Sequence, residues 1–298
     1  MGMWFVSVRT PRAALMTQQN LAIVVIGYES SAEWEGFFDS IVQSTIEPAS
    51  IVVVDNSPAS SIDARDWPSL PLRVLHLPAN PGYGAAANRG VQELHHEIDW
   101  VVICNPDTRL SETTFEKLLS AVDVFSNTAI LGPAVRSSDG SIYPSAREIP
   151  GVRIGIGHAL FARIWPANRW TTRYLGGYTG SAPRSVGWLS GSFLLAKRGV
   201  FEAIGGFDEA FFMFFEDVDL GRRTKSAGYR NVYVPQAEIT HSGAHATSLR
   251  EKEMILAHHR SAERFLSKLY PHPWQGALRL ALITGLRLRA RWQIRQLT

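Results

Sequence analysis

The chain has a single cysteine, Cys104, among 298 residues. One thiol excludes an intramolecular disulfide framework and any site built from several thiolates. It suits a reducing compartment. Long apolar runs are missing too. No stretch reaches the roughly 18 to 20 residues that cross a bilayer. The longest uncharged segment, 13–28, is interrupted by Thr17, Gln18, Gln19 and Asn20. Residues 1–16 lack the continuous apolar core of a secretory signal, so 1–19 reads as a disordered leader. No internal repeat, heptad or collagen-like period is present, which excludes fibrous architectures. Charged residues make up only 19% and hydrophobic ones 45%, which excludes a disordered chain and leaves a sizeable core. Acid is scarce at one end: residues 241–298 hold 10 Lys+Arg against 3 Asp+Glu, although the net charge is only +3. That end is a candidate surface for phosphates.

What is present alternates between strand and helix. Leu21–Ile26 is a continuous run with β-branched residues, as in a strand buried on both faces of a parallel sheet. Residues 31–45 place Trp34, Phe37, Phe38, Ile41 and Val42 at helical spacing. Strands follow at 51–54, 72–77 and 100–104, with helices at 84–95 and 113–125. This order predicts an α/β fold with a doubly wound, Rossmann-like, mostly parallel sheet and helices on both faces. Ligands of such sheets sit at the carboxyl ends of the strands. After about Leu131 the pattern changes. Residues 137–140 signal a hairpin turn, 150–184 a long loop, 186–196 a strand, 216–227 a helix ended by Gly228, and 231–234 a strand. Residues 251–298 read as a basic helical extension.

Four polar clusters fall at successive strand ends and would converge on one crevice. Tyr28 follows the first strand and Asp55-Asn56 ends the second. The segment from Asn80 to Gly90 follows the third, and Asn105-Pro106-Asp107 ends the fourth. An aromatic ring can stack on a base and a carboxylate can accept from a base N–H. Small residues at Gly82, Gly84, Ala85 and Ala86, between Asn80 and Asn88, let backbone approach a diphosphate at a helix N-terminus. Asp107 offers a hard oxygen to Mg2+ or Mn2+. A fifth cluster, Glu216-Asp217, follows Phe211, Phe212, Phe214 and Phe215. Desolvation there raises carboxyl pKa values and suits general-base work. Asp219 and Arg223 read as an i,i+4 pair. His241 closes a strand-like stretch and is a candidate imidazole ligand.

The order VVIGY (24–28), VVVDNS (52–57), NPGYGAAANRG (80–90), NPD (105–107), WLSGSFLLAKR (188–198), GGFDEAFFMFFEDVDLGRR (205–223) and His241 resembles the inverting family 2 glycosyltransferases of GT-A fold. Within them it is most similar to the bacterial L-rhamnosyltransferase branch, over roughly residues 20–245. The resemblance implies a catalytic domain over 20–250, with a nucleotide-binding half (20–135) and an acceptor half (136–250). It implies a dTDP-sugar donor, dTDP-L-rhamnose above all, and an N-acetylglucosamine acceptor on a polyprenyl diphosphate, in cell-wall polysaccharide synthesis. Asp55 matches the family's pyrimidine-holding aspartate, Asp107 its metal-binding carboxylate, Asp217 its catalytic base with Glu216 beside it, and His241 a metal-ligating histidine of some members. Asn105 stands where the family's first motif aspartate would. Trp188, Ser190 and Gly191 match a segment lining the acceptor side.

Two other classes compete. A nicotinamide-dependent oxidoreductase would use the same early strands, but the G-x-G-x-x-G fingerprint is absent and Glu216-Asp217 would be idle. A nucleic-acid-binding protein would use the basic end, but no nucleic-acid motif accompanies it. The basic end points instead to peripheral association with the anionic inner face of the cell membrane, with the enzyme on the cytoplasmic side.

Overall fold

The structure, a computed structural model, describes residues 20–151, 165, 168, 170, 172, 180–243 and 251–297. The expected leader, most of the expected 150–184 loop and the junction 244–250 lie outside the described residues.

Four apolar runs build one half of the sheet. β1 (Leu21–Gly27), β2 (Ser50–Asp55), β3 (Leu72–His76) and β4 (Trp100–Cys104) pair in parallel in the order β3-β2-β1-β4. Helices cover both faces, so β1, β2 and β4 have no polar face to alternate with. On one face, Trp34, Phe37 and Phe38 of α1 (Trp34–Val42) and Phe115 of α3 (Thr114–Ser120) pack on Ile23, Val25 and Val53. On the other, Ala86, Ala87 and Val91 of α2 (Tyr83–Gln92) pack with Phe201 of α4 (Arg198–Ala203) on Val24, Val54 and Ile103. Each fully buried ring contributes ~1.5–3 kcal/mol. Helix α2 lies so close that a Cβ on Gly90 would stand 2.4 Å from Val24 Cγ1. The register sets Gly27 beside Asp55 and Val25 beside Cys104, so the loops after β1, β2 and β4 gather at one edge.

The sheet continues through β11 (Phe193–Lys197), β6 (Thr128–Arg136), β12 (Arg230–His241) and β5 (Thr108–Leu110). β11 is antiparallel to β4 and to β6, β12 is parallel to β6, and β5 is antiparallel to β12. Six of the eight strands on this path therefore run one way. β7 (Ile142–Tyr143) pairs with β6 and β9 (Arg184–Val186) with β12, while β8 (Ala146–Arg147) and β10 (Trp188–Leu189) form a separate ribbon.

Three differences from the sequence reading have physical causes. β6 carries Gly132-Pro133 in its middle, and that breaker signal conceals a buried strand. The expected strand over 186–196 is broken at Gly187, where a Cβ would lie 2.4 Å from Ile149 N, and again at 190–192. The stretch ending in His241 is not a separate strand but the far end of β12, which shifts register between Val234 and Glu238.

Helix α5 (Glu216–Ser226) follows the aromatic segment, and the chain ends in a pair of helices, α6 (Glu251–Leu269) and α7 (Gly276–Arg295). The basic end is less free than its sequence suggests. Arg264 and Lys268 pair with Asp208, Arg287 pairs with Glu263, and Arg279 donates to the Tyr270 carbonyl. The apolar surface also differs. Leu282, Ile283 and Leu286 are partly covered, whereas Trp274, Leu278, Leu280, Leu288 and Trp292 are exposed.

Candidate active site

The strand ends place the expected residues along the edge just described. Tyr28 is exposed after β1. Asp55, at the end of β2, is 0% exposed. Its carboxylate accepts from the Ser57 and Ser61 amides at 3.0 and 2.6 Å and from the Ser60 and Ser61 hydroxyls. Burial alone would raise its pKa; the hydrogen bonds from Ser57 and Ser61 outweigh it and hold the group below the usual range. Asp55 thus shapes the 57–61 turn. Asn56 is buried beside it, and its Oδ1 has no hydrogen-bond partner.

The start of α2 is locked to the aromatic segment. Asn80 Oδ1 accepts from the Gly82 N–H at 3.2 Å. Gly82 has φ +95°, and a Cβ there would stand 2.3 Å from the Phe212 carbonyl oxygen. The next amide, Tyr83 N–H, donates to that same oxygen at 3.0 Å. Three expected donor-binding residues do other work. A Cβ on Gly84 would lie 2.8 Å from Phe207 Cβ, and Ala86 is core. Asn88 donates to the Phe207 carbonyl and accepts from the Phe207 N–H, at 2.9 and 2.8 Å. With its polar atoms engaged, Asn88 clamps the 205–209 turn rather than offering a hydrogen bond to a ligand.

At the end of β4, pairing of β5 with β12 sets Thr108 against His241. His241 Nε2 then lies 3.1 Å from Asp107 Oδ1 and 3.4 Å from Asn105 Nδ2. Burial raises the Asp107 carboxyl, but the His241 ring more than offsets it and keeps the group below the usual carboxylate value. A hard carboxylate oxygen and an imidazole nitrogen suit Mg2+ or Mn2+. Among the described residues, the group of three side chains able to hold an ion is His95, His96 and Glu97, exposed beyond the opposite end of α2.

The carboxylate pair sits at the start of α5, after two residues in the left-handed region, Phe214 (φ 68°) and Phe215 (φ 65°). Such conformations cost on the order of 1–3 kcal/mol each and persist only where the surroundings impose them. Glu216 is buried, its Oε2 has no partner, and burial with the neighbouring Asp217 charge pushes its pKa up to about 8. Asp217 accepts from the Gly191 N–H at 3.0 Å and the Val218 N–H at 2.8 Å. Burial raises its pKa more than these bonds and the Arg147 charge lower it. Burial and the adjacent charge thus favour the neutral form of Glu216, and desolvation makes the Asp217 carboxylate more basic than an ordinary one.

Two residues that sequence reasoning missed join this site. The Tyr83 hydroxyl donates to the Gly191 carbonyl at 2.6 Å, so Gly191 is bound to Tyr83 through its carbonyl and to Asp217 through its N–H. Tyr83 lies near Cys104, Glu216, Asp217 and Asp107, and desolvation, above all, with the neighbouring carboxylates raises its pKa. Its signal was an aromatic residue between Gly82 and Gly84. Arg147 stands opposite Trp188 in the β8–β10 ribbon, its guanidinium 5.3 Å from the Trp188 and Tyr143 ring centroids. Trp188 itself is buried and donates to the Glu148 carbonyl. Ser190 and Ser192 hydroxyls lie 3.1 Å apart beside Gly191. The expected Asp219–Arg223 pair is present at 2.7 Å.

The sheet that gathers the carboxylate–imidazole pair and the acid pair at one edge has the GT-A fold of solved glycosyltransferases. Its backbone matches a mannosyltransferase from Pyrobaculum calidifontis, solved with GDP-Man and Mn2+, with a TM-score of 0.58 and 15% identity over 93% of this chain and 72% of that one. It also matches GalNAc-T7, solved with UDP, GalNAc and Mn2+, with a TM-score of 0.54 and 13% identity over 91% of this chain and 55% of that one. The chain belongs to the glycosyltransferase-like family 2, whose sequence profile matches residues 19–255. It is 38% identical to the N-acetylglucosaminyl-diphospho-decaprenol L-rhamnosyltransferase of Mycobacterium tuberculosis over 285 residues, 92% of this chain and 93% of that protein.

Proposed function

We propose that the protein transfers L-rhamnose, with inversion, from dTDP-L-rhamnose to a hydroxyl of N-acetylglucosamine carried on a polyprenyl diphosphate. The observation that carries this reading is the 38% identity to the mycobacterial rhamnosyltransferase across nearly the whole of both chains. The site supplies the chemistry. The Gly191 and Val218 amides hold the Asp217 carboxylate in place. Asp217 takes the proton from the acceptor hydroxyl as that oxygen bonds to the anomeric carbon. The bond to dTDP breaks on the opposite face, and its electron pair leaves on the diphosphate. Neutral Glu216 spares the base a second adjacent charge. Asp107 and His241 are the residues that would hold Mg2+ or Mn2+, which neutralises charge on the leaving diphosphate when bound. Tyr28, Asp55, Asn56, Asn80 and Gly82 border the donor, and Ser190 and Gly191 with Arg147 border the acceptor.

The acceptor's lipid carrier places the work at a membrane, on its cytoplasmic side. Among the described residues no helix is long and apolar enough to cross one. Exposed Trp274, Leu280, Leu288 and Trp292, with Arg289 and Arg291, support binding to an anionic surface. Each basic residue there contributes ~1 kcal/mol.

The test is a screen of dTDP-L-rhamnose, UDP-galactofuranose and UDP-N-acetylglucosamine against polyprenyl-diphosphate N-acetylglucosamine. Turnover with dTDP-L-rhamnose alone is expected, and preference for either UDP-sugar overturns the donor assignment. In a parallel liposome sedimentation, Arg289→Glu/Arg291→Glu should weaken binding to anionic vesicles. Equal binding to neutral vesicles removes the membrane claim.

A further inference from the structure

Helix α6 lies mostly beyond residue 255, where the family profile ends. One stripe of it, His258, Ser261, Phe265 and Lys268, follows the i, i+3, i+7, i+10 spacing of a single helix face. Every member of that stripe touches the segment leading into the carboxylate pair, or the helix that carries it. The His258 ring meets Phe214 and Phe215 edge-on, at centroid distances of 5.4 and 5.3 Å. The Ser261 hydroxyl donates to the Met213 carbonyl at 2.7 Å. Phe265, 2% exposed, packs with Trp188, Phe211, Val218 and Phe215. Lys268 reaches Asp219 at 2.7 Å and Asp208 at 2.9 Å, joining α5 to the 205–209 turn.

Phe214 and Phe215 are the two residues held in the left-handed region immediately before Glu216. Nothing local favours that conformation. Neither residue is glycine or asparagine, and Phe215 provides no side-chain cap for α5. The restraint comes from two outside partners: the start of α2, through the Phe212 carbonyl, and α6, through His258 and Ser261.

We propose that α6 is a positioning element for the reaction: His258 and Ser261 fix the 213–215 turn, and thereby the direction in which Asp217 presents its carboxylate. The C-terminal extension is on this account part of the catalytic unit. Its residues touch neither substrate nor reacting atoms; they act through the turn. A loosened turn leaves the donor pocket at β1, β2 and β4 untouched but spreads Asp217 over non-productive orientations.

The test uses the full-length protein and rests on the reading of Asp217 as base, so Asp217→Asn is assayed beside it. Ser261→Ala, His258→Ala and the double variant are compared for kcat, donor KM, dTDP affinity and Tm, with His258→Phe as the conservative rescue. The expected result is a kcat loss of about tenfold or more in the double variant, with dTDP affinity within about twofold of wild type. That pattern reflects a transition-state effect without loss of ground-state binding. His258→Phe, which restores a ring against Phe214 and Phe215, should recover most of the loss. Wild-type kcat in the double variant overturns the proposal. So does a loss that tracks Tm and donor affinity together, or one that phenylalanine fails to rescue. If His258→Ala does not fold, Ser261→Ala and His258→Phe decide the matter by the same criteria. Full activity of Asp217→Asn would instead remove the underlying assignment of the base.

Discussion

Replacing Asp217 with asparagine removes the proposed base and leaves its volume. The carboxylate accepts two backbone amides through different oxygens, Gly191 N–H on Oδ2 and Val218 N–H on Oδ1. Asparagine keeps one carbonyl oxygen, so one of those amides loses its acceptor. A buried donor left unpaired costs about 1–3 kcal/mol. Removing a carboxyl group whose charged form burial disfavours offsets part of that. At about 2–4 °C per kcal/mol for a chain of this size, Tm should fall by a few degrees, short of unfolding. The effect on chemistry is larger. General-base help is worth ~10²–10⁴ in rate, or about 3–5 kcal/mol of barrier. Turnover of dTDP-L-rhamnose should therefore drop at least a hundredfold while dTDP binding by calorimetry stays near wild type. The wild-type kcat should also fall on acidification at a pH above the ordinary aspartate range, because burial raises Asp217. A variant retaining more than about a tenth of wild-type turnover would refute the reasoning, since general-base help worth ~10²–10⁴ could not then reside here.

Three further outcomes follow from the geometry. Asp107→Ala should weaken dTDP binding with Mg2+ or Mn2+ present and matter less in EDTA; equal loss in both would make Asp107 a turn residue. Asn88→Ala removes hydrogen bonds to the Phe207 N–H and carbonyl and to Glu209, so it should cost about 2–3 kcal/mol of stability in denaturant titration while leaving donor KM unchanged. Glu216 is raised from the ordinary value near 4.5 to about 8, so across that window the folded state holds a proton that the unfolded chain has released. Stability then declines as pH rises from about 4.5 to about 8. Glu216→Gln should flatten that decline and gain Tm relative to wild type at the alkaline end, and parallel curves for the two proteins would show that Glu216 ionises freely.

The parallel half of the fold was legible because burial on both faces removes alternation, leaving runs such as Leu21–Ile26 that are unmistakable in sequence. β6 was not, because Gly132-Pro133 reads as a break, while its pairing partners β11 and β12 lie far along the chain. At the site, sequence could nominate Asp107, His241 and Asp217 by residue type and order. It could not tell that Asn88 faces Phe207, since a helix start of small and polar residues serves a ligand and a neighbouring turn equally well. Tyr83 is masked in sequence by the glycines on either side of it, and Arg147 falls between the turn signal at 137–140 and the loop expected from 150, where no pattern marks it. The ion pairs that engage Arg264, Lys268 and Arg287 join elements distant in sequence, so the basic end looked more available than it is.

The carboxylate of Asp217, the proposed base, is held by main-chain amides, and its neighbour Tyr83 donates to the main-chain carbonyl of Gly191, the residue that supplies one of them. No substitution short of proline removes a main-chain N–H. Even Gly191 has room, for an added Cβ would lie 3.5 Å from Asp217 Cβ, an ordinary contact. On the proposed reading, proton transfer and recognition of the acceptor are therefore separately mutable. If Ser190 borders the acceptor as proposed, its side chain can be exchanged to admit a different sugar while Asp217 keeps its backbone donors. A lineage could then drift from one acceptor to another through active intermediates, and a library randomised at position 190 should be rich in working enzymes of altered preference.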